Sequence, residues 1–158
     1  MLKHIFFTVI SFLAIQQVSF SQSRVQVTLD KGDSKGLLLW INEGHDIHAP
    51  FEVEGKKISP LGYSGLMANP ELTKILLDKG ANAKQIVEGH DALMFAAKGG
   101  NLECIEVLIN AGANPTLESF DGKTARDYAY QNKHPEAVKI LEQEMTKFYQ
   151  MVKLSKRK

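Results

Sequence analysis

His45 and His48, three residues apart with Asp46 between them, are the one grouping in this chain whose side chains suit metal chemistry. Two imidazoles and a carboxylate can hold zinc or another divalent ion. A structural zinc site takes four ligands, and no second such grouping lies elsewhere to complete it. The trio therefore carries only the alternative reading, a metal-dependent or enzymatic protein using His45, Asp46 and His48. Cys104, the only cysteine, stands in an apolar run without a basic neighbour that would favour its thiolate, so it is expected to pack rather than attack. One cysteine also excludes an internal disulfide. His90 falls in a turn and His134 opens a helix. There is no phosphate-cradling glycine loop, no serine-nucleophile motif and no paired-carboxylate signature. The chain is thus expected not to be an enzyme and to need no cofactor or metal.

What positions these residues is an internal repeat. Gly32 and Gly44 are 12 apart, as are Ala68 and Gly80, and Gly100 and Gly112. Between them lie Leu37-Leu38-Leu39-Trp40-Ile41, Leu72-Thr73-Lys74-Ile75-Leu76-Leu77 and Cys104-Ile105-Glu106-Val107-Leu108-Ile109. Each reads as a short helix with apolar residues at helical spacing, stopped by a glycine that can adopt the left-handed conformation. A second helix precedes each of the later ones. Ser59-Pro60-Leu61-Gly62-Tyr63-Ser64-Gly65 aligns with Asp91-Ala92-Leu93-Met94-Phe95-Ala96-Ala97 and with Thr124-Ala125-Arg126-Asp127-Tyr128-Ala129-Tyr130. Ser59, Asp91 and Thr124 are N-cap types, and they recur at 32 and 33 residues.

These residues resemble the ankyrin repeat, a two-helix unit of about 33 residues with a T-P-L-H-x-A core. The clearest copy runs from Asp91 to Asn114; Ser59–Asn82 and the stretch from Thr124 onward are further copies, and a divergent first copy spans about Ser23 to Ala49. The intact T-P-L-H tetrad is absent, and Ser59-Pro60-Leu61 comes closest. The resemblance implies an all-α ankyrin-repeat solenoid of about four helix-turn-helix units with a long C-terminal capping helix. The expected layout is a signal peptide (1–21), a divergent repeat and loop (22–57), two repeats (58–89 and 90–119) and a capping repeat with extended helix and basic tail (120–158). The leading helix, Ser23 to Lys31, carries the alternation Val25-Gln26-Val27-Thr28-Leu29, which also suits a strand. Pro50–Lys57 reads as a long loop. Lys133 and Met145 replace the glycines of the last copy, and Val138, Leu141, Met145, Phe148 and Val152 continue one apolar stripe, either as a cap or as a binding helix.

Ankyrin proteins commonly touch partners with their turn tips and the exposed face of each first helix. That habit implies Gly55, Lys56, Ile58, Leu66 and Met67 in one copy, Val87, Glu88, His90, Lys98 and Gly99 in the next, and Phe120, Asp121, Lys123, Gln131 and Asn132 in the last. Leu66, Met67, Val87 and Phe120 stand out as apolar residues where a repeat ordinarily shows a polar one.

The first residues have a separate job. Met1-Leu2-Lys3-His4 is a basic start, Ile5–Ile15 is apolar and uncharged, and Ser19 and Ser21 are the small residues of a cleavage site. This layout predicts export, with the mature chain starting at Gln22, to a periplasmic or secreted location. The apolar run is short for a bilayer span. The chain carries 19 basic and 18 acidic residues, and removing 1–21 takes only Lys3, so no large basic field points to nucleic acid. The function expected from these features is an exported interaction module, monomeric or in a heteromeric complex. It would bind a protein partner as an inhibitor, immunity-type protein, scaffold or helper; a host-directed effector is a further alternative.

Overall fold

The computed structural model describes residues 24–156. The leader and the cleavage point after Ser21 lie outside them. Within them the chain forms four helix pairs. The elements are α1 (24–30), α2 (Ser34–Asn42), β1 (Phe51–Val53), β2 (Lys56–Ile58), α3 (Pro60–Leu66), α4 (Pro70–Asp78), α5 (Ala92–Gly99), α6 (Leu102–Asn110), α7 (Ala125–Gln131) and α8 (Pro135–Ser155). The first copy's leading segment is a helix despite its alternating pattern. Val25 and Leu29, four apart, are buried, while Val27 between them is exposed, which is the periodicity of a helix face.

Helix starts are fixed by side-chain caps at the predicted positions. Ser59 Oγ accepts from Gly62 N at 3.1 Å, and Asp91 Oδ1 accepts from Met94 N at 2.9 Å. Thr124 works reciprocally with Asp127, whose Oδ2 accepts from the Thr124 N–H at 3.0 Å. Three of the second helices begin the same way, with Asp33 capping Gly36 N, Asn69 capping Leu72 N and Asn101 capping Cys104 N, whereas α8 starts at His134 without a side-chain cap. Asp91 is the unusual cap, because it is 2% exposed and burial pushes its carboxyl up to about 6.

A left-handed residue turns each pair: Gly32, Ala68, Gly100 and Lys133, with φ of 63°, 54°, 75° and 62°. The substitution of glycine at Ala68 and Lys133 therefore did not change the turn, although a Cβ is disfavoured there. Met145 did change its site. The earlier second helices stop before Gly44, Gly80 and Gly112, all at positive φ, whereas α8 runs through Met145 to Ser155.

The first helices stack closest. An added Cβ on Gly65 would sit 3.0 Å from Ala96 Cβ, and one on Gly99 would sit 2.6 Å from both Gly65 O and Leu66 O. Small buried residues, Ala92, Ala96, Ala97, Ala125 and Ala129, continue this close seam, and Leu72, Leu76, Leu93, Ile105, Leu108 and Leu141 fill the layer behind it. Cys104 is buried in that layer, 3.7 Å from Thr73 Oγ1, and burial pushes its thiol up, away from the thiolate a nucleophile needs.

Pro50–Lys57 is not a plain loop. Phe51 pairs with Ile58, Glu52 with Lys57 and Val53 with Lys56 in an antiparallel hairpin turned by Glu54 and Gly55, both at positive φ. Phe51 anchors it in the core, edge-on to Tyr63 at 5.3 Å. Tyr63 in turn donates to the Asp30 carboxylate and so ties α1 to α3.

Candidate partner-binding face

Three turn tips follow one another along the edge of the stack, each centred on a left-handed glycine: Gly55, Gly89 and Gly122. They touch. The Lys57 N–H donates to Glu88 Oε2 at 3.1 Å, joining the first tip to the second. The Phe120 ring of the third tip lies flat enough on Gly89 that a Cβ there would fall 2.6 Å from the ring. The second tip is closed by a bridge between Val87 and His90, and the third by the Ser119 and Lys123 backbones at 2.9 Å.

Beneath the tips, the inner helices bring polar and aromatic groups together. His90 Nδ1 lies 3.0 Å from the Glu88 carbonyl, which can only accept, so Nδ1 carries the proton and Nε2 faces the Tyr128 hydroxyl at 3.0 Å. Tyr128 Oη is also 3.0 Å from Ser119 Oγ and 3.0 Å from Asp121 Oδ1. Asp121 is bound on its other oxygen by Lys123 Nζ at 2.7 Å, and that ammonium holds its carboxyl well below the usual range. Lys98 Nζ stands 4.3 Å above the Tyr128 ring centroid and 5.0 Å from that of Phe95.

The residues expected at this face divide into two groups. Phe120 is 88% exposed and Met67 43% exposed. Lys56, Glu88 and Asp121 are also exposed, as are Gly55, Gln131 and Asn132, whereas Leu66, His90, Lys98, Gly99 and Lys123 are half-buried. Ile58 and Val87 are a correction. Both side chains are buried, Ile58 because its pairing with Phe51 turns it inward, and Val87 because its bridge to His90 does the same. Neither offers a surface to a partner. Tyr128, Ser119 and Phe95 are the organising residues that the sequence did not single out. Their only signal was an aromatic and a hydroxyl at ordinary repeat positions, and the separation of 38 positions between His90 and Tyr128 hides their contact.

His45, Asp46 and His48 do not converge. Asp46 Oδ1 accepts from the His48 backbone at 2.8 Å, while the His45 ring stacks on Trp40 at 5.3 Å and meets Glu43 Oε2 at 3.2 Å. Among the described residues no group of three or more His, Cys, Asp or Glu side chains is placed to hold a metal ion. Among them, too, no helix is long and apolar enough to cross a membrane.

Comparison with known proteins gives the same architecture. Ankyrin repeat, SAM and basic leucine zipper domain-containing protein 1 of Loxodonta africana is 36% identical over 85 residues, 51% of this chain and 18% of that protein. Its counterparts in Microcebus murinus and Dasypus novemcinctus are each 35% identical over 88 residues, 52% of this chain and 18% of theirs. The chain thus spans less than a fifth of the length of these relatives. Ankyrin repeats serve generally as protein–protein interaction modules. A model of ankyrin repeats in three copies matches residues 32–150, which is well over half of the sequence, and the chain belongs to the ankyrin-repeat family.

Proposed function

We propose that this chain is an exported interaction module that holds a protein partner on the face formed by the three tips and the inner helices, acting as an inhibitor, immunity-type protein, scaffold or helper. The observation that carries the reading is Phe120. A phenylalanine ring 88% exposed is costly in water, yet this one is held in place against Gly89 on a tip braced by Ser119, Asp121 and Lys123. An exposed aromatic presented on a braced tip buries much apolar area on binding, which is the behaviour of an interface anchor. Met67, exposed, and Leu66, half-buried, add apolar side chains at the end of α3.

The test is affinity capture from the source organism's envelope fraction with the mature chain as bait. Phe120→Ala is expected to weaken the captured complex by about 10- to 30-fold while the melting temperature stays unchanged, and Leu66→Asp to weaken it similarly while also lowering the melting temperature, because Leu66 packs partly against the core. A partner held equally by both variants and the parent would put the interface elsewhere.

Export is supported by the basic start, apolar run and small residues of positions 1–21. Amino-terminal sequencing of protein recovered from the envelope or medium is expected to begin at Gln22. Recovery only from the cytoplasm, with residues 1–21 still attached, would remove the exported part of the reading.

A further inference from the structure

The charges on this face are unequally engaged. Two of the tip carboxylates are engaged within the chain: Glu88 accepts from the Lys57 N–H, and Asp121 is bound by Lys123 at 2.7 Å and accepts from Ser119 Oγ at 2.5 Å. Lys98 is different. Among the described residues no carboxylate lies within ion-pair distance of its ammonium, which rests instead on the faces of Tyr128 and Phe95. It is half-buried, and burial pushes it below the usual lysine range, with Lys56 and Lys123 adding repulsion that Asp121 only partly offsets. The ammonium groups of Lys98 and Lys123 stand over the same Tyr128 ring, 4.3 and 5.9 Å from its centroid, and the Lys123 group is already paired with Asp121. Leu66, Lys98 and Gln131 occupy the same position on successive inner helices, so an apolar site adjoins Lys98 on one side. The exposed Phe120 marks the tip above it.

We propose that this face recognises an acidic segment of a protein, with a carboxylate of the partner seated on Lys98 beside Lys123 and a neighbouring apolar side chain against Phe120. The inference rests on the interaction-module reading and gives its partner a chemistry. A carboxylate suits the site because it would supply the opposite charge that Lys98 lacks in a half-desolvated place, where an ion pair is stronger than on an open surface. The ring faces below the ammonium hold it in position, so little side-chain freedom is lost when it pairs. Lysine pairs with phosphate as well as with carboxylate, so inorganic phosphate is the competitor that separates the two anions.

The experiment uses the mature chain and two fluorescein-labelled peptides, one of alternating glutamate and leucine and its counterpart with glutamine for glutamate. Fluorescence anisotropy is expected to show saturable binding of the glutamate peptide only, weakened several-fold between about 50 and about 300 mM salt. Lys98→Gln is expected to weaken it at least tenfold, with Lys139→Gln, on the exposed side of α8, as an unchanged control. Thermal melts of both variants should match the parent. The inference is overturned if the glutamate peptide does not bind, if the glutamine peptide binds equally, if Lys98→Gln binds like the parent, or if inorganic phosphate competes at lower concentration than the peptide does. The wider reading fails separately: it falls if the captured partner is indifferent to Phe120→Ala and Leu66→Asp, whatever the peptides do.

Discussion

Valine in place of Gly99 is expected to destabilise the fold by about 3 kcal/mol or more, enough to leave a small repeat stack largely unfolded in mild denaturant. A Cβ at this site falls 2.6 Å from Gly65 O and 2.6 Å from Leu66 O. Both are backbone atoms at the end of α3, so no side-chain rotation relieves the overlap. The only relief is to push α3 away from α5, which also opens the seam between Gly65 and Ala96. Gly44→Ala is the control, since an added Cβ there has nothing within 4 Å and meets only its own positive φ of 85°. It should cost about 1 kcal/mol. Urea unfolding followed by circular dichroism separates the two, and equal midpoints for Gly99→Val and the parent would show that the helices do not approach this closely.

The second large effect has the opposite sign. Asp91→Asn is expected to stabilise the protein by about 1–3 kcal/mol near pH 7.5. Asparagine keeps the oxygen that accepts from Met94 N, while it removes a charge from a site 2% exposed. The pH dependence follows from the raised carboxyl. Folded, Asp91 titrates at about 6; free, it titrates at about 3.8. The folded state therefore binds the proton more tightly, and the parent gains stability as pH falls from about 6 towards 4, while above 6 it carries the whole penalty of a buried charge. The advantage of Asp91→Asn should be largest above pH 6 and vanish below pH 4. Melting temperatures measured from pH 4 to 8 check this, and a constant offset across that range would assign the gain to something other than the carboxylate.

The repeat was legible in the sequence because its markers are local. A cap such as Ser59 or Asp91, a glycine such as Gly80 or Gly112, and the apolar spacing of Leu72 and Leu76 each act within one or two turns of helix. The helical first segment was harder, since Val25-Gln26-Val27 alternates as a strand would, and only packing against the rest selects the face of Val25 and Leu29. The hairpin of Phe51–Ile58 escaped because two strands of three residues are too short to show a period. The face itself was half legible. Phe120 and Met67 are exposed as their positions implied. Val87 is not, because a two-residue turn reverses which way its side chain points, and that depends on the pairing with His90. The meeting of Lys98 and Lys123 over the Tyr128 ring joins residues 25 apart and has no local signature.

Met145, where the earlier copies have glycine, has a mechanical meaning. The first half of α8 is clamped to the stack through Ala137 and Leu141, both fully buried, and through the ion pair of Glu142 with Arg126. Because the helix does not break at Met145, the ten residues from there to Ser155 rise along a continuing axis, about 15 Å at 1.5 Å per residue. Their exposed Tyr149, Met151 and Leu154 leave that arm uncovered. Anything attached at its end is therefore held at a set distance and direction from the last repeat, like a load on a bracket. A fluorophore at Ser155 should report the orientation of the whole stack, and one glycine at position 145 should turn the bracket into a hinge.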